Sequence, residues 1–277
     1  MRSKANIQKQ IIEAVNTVRN TNPLAGSITN TVTINLVANA QLAVGGSAAM
    51  VYLPDESEFL AKAGGAFYIN VGTLLPLYEQ TLPQTAKTFH NLRIPWVLDP
   101  VAVGIGSLRT NLLTQFKEYK PDIIRGNASE IIALSSLWGL EIAGNSNVRG
   151  VDSTDTVIAA KSAAVALAKW TGGTVAVSGE TDLVTDGSIA IFSHGGSHFL
   201  EKITGAGCSL GGVAAVYATS AAPFIAALTA TAIYNIAGRR AEQKVNGPGG
   251  FETMFLDELY NASAEEIAEN PFEIEEI

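Results

Sequence analysis

Apolar residues recur near the start of the chain at Ile7, Ile11, Ile12, Val15 and Val18. That spacing of three and four predicts an amphipathic helix over 3–20. The pattern then changes. Residues 23–28 form a short run that predicts a strand, and 31–44 predicts a helix that Gly45-Gly46 stops. The alternation continues downstream. Strands are predicted over 47–52, 64–70, 94–98, 122–124 and 173–177. Helices are predicted over 54–62, 76–91 and 107–119, from Gly126-Asn127-Ala128-Ser129-Glu130 onward, and over 154–170. A polar, glycine-bearing connector occupies 139–154.

Residues 183–193 predict a hairpin turning at Asp186-Gly187, and 199–203 reads as a further strand. The apolar run 213–236 predicts two buried helices meeting near Ala221-Ala222-Pro223, with the proline in the first turn of the second. A membrane span is the alternative, disfavoured because the run is alanine-rich and contains serine and threonine. The rest predicts helix apart from a turn at 246–250, and the acidic end after Ala264 predicts a solvated helix with a disordered tail.

Many of the strands are continuous apolar runs without period-two alternation, as in a parallel sheet covered on both faces. Neither a linker nor an internal repeat divides the chain. The expected fold is therefore one α/β domain over 1–277, a mostly parallel central sheet with helices on both faces.

Composition narrows the function. Hydrophobic residues make up 47% and charged residues 16% of 277, enough for a large core but too little charge to cover a monomer's surface, which predicts an oligomer. A net charge of −8 argues against nucleic acid and anionic membranes as partners. The single cysteine excludes an internal disulfide and a cysteine-rich zinc site. Together with charges throughout the first twenty residues and no apolar signal region, it predicts a cytoplasmic enzyme.

In an open parallel sheet, ligands bind at the carboxyl ends of the strands. Polar or special residues follow the predicted strands at Ser27/Thr29/Asn30, Met50, Asn70/Gly72/Thr73, Asp99, Arg125/Asn127/Glu130, Ser178/Glu180/Asp182 and Gly205/Gly207/Cys208. Seven such ends on one rim define a site. At the last of them, Ile203-Thr204-Gly205-Ala206-Gly207-Cys208 precedes a long apolar helix, so unpaired backbone N–H groups and the positive end of the dipole offer an anion pocket with a thiol at its rim. The plain alternative is a turn beside a buried cysteine.

Asp99 and Glu130 are oxygen donors that suit Mg²⁺, which takes one or two carboxylates plus phosphates. An Asp-Pro turn and a helix cap are their structural alternatives. Arg125, one residue past a predicted strand, suits phosphate, with an ordinary salt bridge as its alternative. There is no phosphate-loop pattern and no G-x-G-x-x-G opening a first βαβ unit. The three histidines do not share a helix face, which argues against zinc, and His194 and His198 read as a solvated loop.

Taken in order, Ser27-Ile-Thr-Asn-Thr-Val-Thr through Asn39-Ala40, Leu42 to Met50, Asn70-Val-Gly-Thr-Leu, Leu98-Asp-Pro-Val, Ile124-Arg-Gly-Asn-Ala-Ser-Glu-Ile, Ser178-Gly-Glu-Thr-Asp and Ile203-Thr-Gly-Ala-Gly-Cys resemble the hydroxyethylthiazole kinases, thiamine-salvage enzymes of the ribokinase-like superfamily. The resemblance spans roughly residues 22–220. It implies ATP-dependent phosphorylation of the hydroxyl of 4-methyl-5-(2-hydroxyethyl)thiazole and a homotrimer with interfacial active sites. Mapped on this chain, it implies that Met50 and Gly205 contact the substrate and that Arg125 and Ser178 bind ATP. It further implies that Asp99 and Glu130 serve Mg²⁺ and the triphosphate, and that Cys208 stands where related sugar kinases carry an aspartate base. A thiol at a helix N-terminus has its thiolate favoured by the dipole, although the Gly205–Cys208 amides face the developing charge more directly.

The chain departs from the family in three places. Gly26-Ser27 replaces the usual His-Cys, alanine at 48 or 49 replaces a proline, and Ala102 begins a segment that usually begins with glycine. The first two flank the expected thiazole pocket. A kinase for another small primary alcohol, of pyridoxal or hydroxymethylpyrimidine type, is the alternative enzyme. A binding-only relative is the alternative class, and the full phosphate-binding set argues against it.

Overall fold

The computed structural model describes residues 3–140 and 157–277. The predicted connector lies almost wholly outside the described residues, as does the start of the helix expected from 154.

Nine strands form one sheet among the described residues: β1 (Leu24–Ile28), β2 (Ser47–Met50), β3 (Ala66–Asn70), β4 (Trp96–Asp99), β5 (Ile123–Asn127), β6 (Thr174–Ser178), β7 (Thr181–Thr185), β8 (Ile189–His194) and β9 (Phe272–Glu276). Their spatial order is β2-β1-β3-β4-β5-β6-β7-β8-β9. The first six pair in parallel and the last three antiparallel.

Helices cover both faces, and two hydrophobic cores result. In chain order the helices are α1 (Lys4–Thr21), α2 (Ile34–Ala43), α3 (Pro54–Ala63), α4 (Tyr78–Leu92), α5 (Ser107–Tyr119), α6 (Ala128–Leu137), α7 (Val157–Thr171), α8 (Ala206–Ala218), α9 (Pro223–Glu242), α10 (Pro248–Asn261) and α11 (Ala264–Ala268). One core joins α1, α2 and α8–α11 to the sheet, and the other joins α3–α7. Helix α1 forms as its periodicity predicts, burying Ile7, Ile11, Val15 and Val18, with Ser3 accepting from the Asn6 N–H as its cap. The apolar run near 213–236 becomes α8 and α9, with Pro223 in the first turn of α9. Among the described residues, no helix is long and apolar enough to cross a membrane.

Three predicted elements differ. Residues 199–203 are not a strand: His198–Lys202 is a short 3₁₀ helix, started by Ser197 accepting from the Phe199 N–H. Strand β8 is already flanked by β7 and β9 and offers this segment no free edge, and Gly195 and Gly196 at φ +136° and +83° turn the chain away. The acidic end is not disordered. A capping box at Ser263 and Glu266 opens α11, and β9 then pairs with β8. The pairing sets Ile274 opposite Ile191 and buries Phe272, while Glu275 lies 2.6 Å from Lys161. Lastly, β5 runs on to Asn127, so Arg125 lies within the strand and not beyond it.

Connection α2 crosses on one face from β1 to β2, and α3 crosses back on the other to β3. The carboxyl ends of β1 and β3 therefore flank a topological switch point, where open α/β sheets form their ligand crevice.

Candidate active site

Period-two alternation decides which side chains meet. Tyr68, Val97, Ile123 and Ala176 belong to the core beneath α8. Two positions further along the same strands stand Asn70, Asp99, Arg125 and Ser178, which must therefore share that face. Register completes the arrangement by setting Asn70 beside Asp99 and Asn127 beside Ser178.

Arg125 is the centre of this group and is only 8% exposed. Its Nη1 lies 3.4 Å from Asp99 Oδ2 and its Nη2 donates to Ser178 Oγ at 3.1 Å. Burial opposes its charge, but Asp99 and Glu130 outweigh burial and hold the guanidinium protonated. Asp99 is fully buried. Burial lifts its carboxyl to about 6, against the pull of Arg125. Its Oδ2 accepts from Tyr68 Oη at 2.9 Å and Asn70 Nδ2 at 3.0 Å, whereas its buried Oδ1 has no partner. Arg125 Nε is likewise buried and unpartnered. Orphaned buried groups of opposite sign are costly unless something completes them.

Helix α8 begins directly above this pair. Gly205 precedes it at φ +97°, and no side chain caps the helix. A Cβ on Gly205 would meet Thr33 Cβ at 2.8 Å, and a Cβ on Gly207 would meet Arg125 Nη2 at 2.5 Å. The guanidinium thus lies against the first turn of α8, and a cation and a free helix N-terminus face one space.

Cys208, in the same turn, is half-buried, and Asn30 Nδ2 lies 3.7 Å from its Sγ. Burial and the Asp99 carboxylate raise the thiol above its ordinary value, opposed by the nearby Arg125. The dipole's preference for thiolate is therefore outweighed, and the group is a neutral thiol near pH 7.

Glu130 makes a capping box with Asn127. Its N–H donates to Asn127 Oδ1 and its Oε2 accepts from the Asn127 N–H, both at 2.9 Å. Its Oε1 accepts from the Ala102 N–H at 3.2 Å. The cap reading and the site reading thus hold together, because the same carboxylate braces the loop after β4. Ala102 sits there at φ +59°, the left-handed region that explains a glycine preference at this position.

Beyond Ser178 opens a cavity of about 550 Å³ lined by Asn127, Ala128, Ser129, Val157, Gly179 and Thr181. Met50 stands apart. It ends the edge strand β2, opposite Ser27, three strand spacings or roughly 14 Å from the position of Asp99. Gly26 is explained by packing, since a Cβ there would meet the Phe67 ring at 2.3 Å.

Two participants escape a reading of the sequence, and a third shows there without its role. Tyr68 looks like an ordinary core aromatic of β3. Asn70 is visible only as one polar strand end among several. Arg109 reads as a surface cation of α5, yet it donates to the carbonyls of Val71, Gly72 and Ile105 and so clamps the loops after β3 and β4. The available signal is the pair Gly207 and Gly211, one turn apart on α8, where Arg125 and the Tyr68 ring come under the helix.

Among the described residues, no three of His, Cys, Asp and Glu cluster as a metal cage. Two carboxylates, one with an unpartnered oxygen, instead fit an ion that arrives with phosphates as its remaining ligands.

Residues 15–265 match the model of the hydroxyethylthiazole kinase family. A hydroxyethylthiazole kinase of Bifidobacterium longum is 52% identical over 95% of this chain and 90% of its own length. The solved structure of a hydroxyethylthiazole kinase protein from Pyrococcus horikoshii superposes with a TM-score of 0.86 at 30% identity, covering 97% of this chain and 99% of that one. A ribokinase-like superfamily protein from Enterococcus faecalis shares the fold alone, at a TM-score of 0.61 and 14% identity over 93% of this chain and 94% of its own. With its fold ribokinase-like and its sequence matched nearly end to end, the chain belongs to the hydroxyethylthiazole kinase family.

Proposed function

We propose that this protein transfers the γ-phosphate of ATP to the hydroxyl of 4-methyl-5-(2-hydroxyethyl)thiazole. The observation that carries the reading, beside family membership, is the buried Arg125 guanidinium held between Asp99 and Ser178 beneath the uncapped start of α8. Phosphoryl transfer asks a protein chiefly for positioning and neutralisation of charge.

Arg125 and Ser178 bind the phosphates of ATP, and the cavity beside Ser178 has room for the rest of the nucleotide. The amides of the Gly205–Cys208 turn face the oxygens on which charge develops. Asp99 and Glu130 hold Mg²⁺, which when bound neutralises phosphate charge and orients the transferring group. The Cys208 thiol, neutral in the resting site, is a polar neighbour of the acceptor hydroxyl; little is asked of a base when bond breaking leads. Gly205 and Met50 contact the thiazole.

Met50 lies too far along the sheet to share one small ligand with Asp99, which supports an active site completed across a subunit boundary. The segments on either side of β2 in the chain also carry exposed Val32, Leu42, Leu53 and Phe59, which favours a homotrimer that buries them. Light scattering tests this: three times the 29.0 kDa chain mass is expected, and a monomer at micromolar concentration refutes it. The single cysteine supports a cytoplasmic setting.

A coupled ADP-release assay against a panel of primary alcohols tests the reaction. The thiazole alcohol should give the highest kcat/KM by at least about tenfold, the scale of one well-used pocket contact. A pyridine or pyrimidine alcohol turned over faster would overturn the substrate assignment.

A further inference from the structure

Asn70 closes β3 and is 1% exposed. Its amide uses every hydrogen-bonding site it has. Oδ1 accepts from Asn30 Nδ2 and from the Gly72 N–H, each at 2.9 Å. Nδ2 donates to Tyr68 Oη at 2.9 Å and to Asp99 Oδ2 at 3.0 Å. A primary amide has two acceptor lone pairs and two donors, so none is left over. Only one orientation satisfies these partners, since a flipped amide would set its oxygen against the Asp99 carboxylate and its N–H groups against two other donors.

The partners fall on two sides. Toward β4 lie Asp99 and, through it, Arg125 and Ser178. Toward β1 lies Asn30, whose Nδ2 also approaches Cys208 Sγ in the turn where the acceptor would sit. Asn70 is the side chain through which the two sides are joined. Tyr68 braces the same carboxylate oxygen at 2.9 Å, so Asp99 is oriented with Oδ2 saturated and Oδ1 free. Glycines make room for both residues: a Cβ on Gly72 would come within 2.8 Å of Asn70 Oδ1, and one on Gly211 within 2.4 Å of the Tyr68 ring.

We propose that Asn70 is a positioning residue for phosphoryl transfer, with Tyr68 as its brace, and that it sets the distance between the phosphate side and the acceptor side of the site. The proposal rests on the kinase reading above. Its consequence is specific. With the two sides in register, ATP and the alcohol give ADP, the phosphate ester and a proton. With the register loosened, water takes the place of the alcohol and ATP gives ADP and inorganic phosphate.

The experiment measures ADP and phosphorylated alcohol in the same reaction for the full-length wild type, Asn70→Asp and Tyr68→Phe, with KM for each substrate and the Tm of each protein. Asn70→Asp keeps the acceptor contacts to Asn30 and Gly72 and sets an oxygen against Asp99. It should lower kcat at least 30-fold, change either KM less than threefold and raise ADP per ester from one to above two. Tyr68→Phe keeps the ring packing, folds even if the other variant does not, and should show the same rise in the ratio with a three- to tenfold lower kcat. A ratio of one in every variant that folds overturns the proposal, whether kcat is retained or falls together with a rise in both KM values. If the wild type prefers a different alcohol, the substrate reading fails alone and the ratio is read on that alcohol.

Discussion

Gly207→Ala separates a functional role for the α8 turn from a structural one. The added Cβ would stand 2.5 Å from Arg125 Nη2 and 2.9 Å from Cζ. Ordinary contact requires about 3.5 Å, so something must move by roughly 1 Å. The helix is continuous and the guanidinium is the end of a flexible side chain, so the guanidinium moves. Stretching the Asp99 contact from 3.4 Å by that amount loses about 1 kcal/mol at an effective dielectric of about 20. Breaking the 3.1 Å bond to Ser178 loses a further ~1.5 kcal/mol, as for a hydrogen bond to a charged group. A total of about 2–3 kcal/mol, if expressed in phosphate binding, lowers kcat/KM for ATP by roughly 30- to 150-fold. Stability should change less, because alanine's helix propensity exceeds glycine's by up to about 1 kcal/mol in a helix interior and by less at Gly207 in the first turn, which partly offsets the strained ion pair. The assay is steady-state kinetics with ATP varied at saturating alcohol, alongside thermal unfolding. A variant whose KM and kcat for ATP stay within twofold of wild type would show that Arg125 is not held in place by the α8 turn.

Three further outcomes follow from the same geometry. Cys208→Ala should lower kcat by about tenfold or less while turnover persists, since the amides and Arg125 stay in place; unchanged kcat removes the thiol from the reaction, and complete loss makes it essential. Burial lifts the Asp182 carboxyl to about 6, so its folded value lies above its unfolded value near 3.8; the fold loses stability as pH rises through that interval, and the loss levels off once pH passes the folded value. Urea unfolding should therefore show Asp182→Asn gaining about 1 kcal/mol relative to wild type between pH 5 and 7.5, and a pH-independent difference would refute this. Ala102→Gly relieves a left-handed alanine worth about 1–2 kcal/mol against a chain-entropy cost of ~0.5–1, so Tm should rise by about 1–3 °C; a lower Tm would contradict the strain.

Element type was legible wherever the burial pattern is local. The opening helix, the parallel strands through Ser178, the hairpin turning after Thr185 and the two helices on either side of Pro223 follow from apolar spacing and turn residues, because each buries a face that its own sequence defines. The fold class follows from their alternation. Residues 199–203 and 272–276 were illegible for one shared reason. Whether a short mixed segment joins a sheet depends on a free edge, and β9, arriving from the far end of the chain, takes the edge of β8.

The candidate site divides along the same line. Which chemical groups are present can be read along the chain: an arginine, two carboxylates and a glycine-bounded thiol at the ends of successive elements, in the order that marks the family. Their states cannot be read there. Arg125 remains charged, Asp99 is pushed up and Cys208 is a neutral thiol because parallel pairing and α8 bury all three within one another's fields. Asn70 stood on the predicted rim, but its role there, and the presence of Tyr68 in the site at all, come from the packing. Strand register brings Asn70 beside Asp99, and a helix from more than 130 residues later closes over both. Hydrogen bonding and desolvation act over a few ångströms in space, and no pattern along the chain encodes which strands will be neighbours.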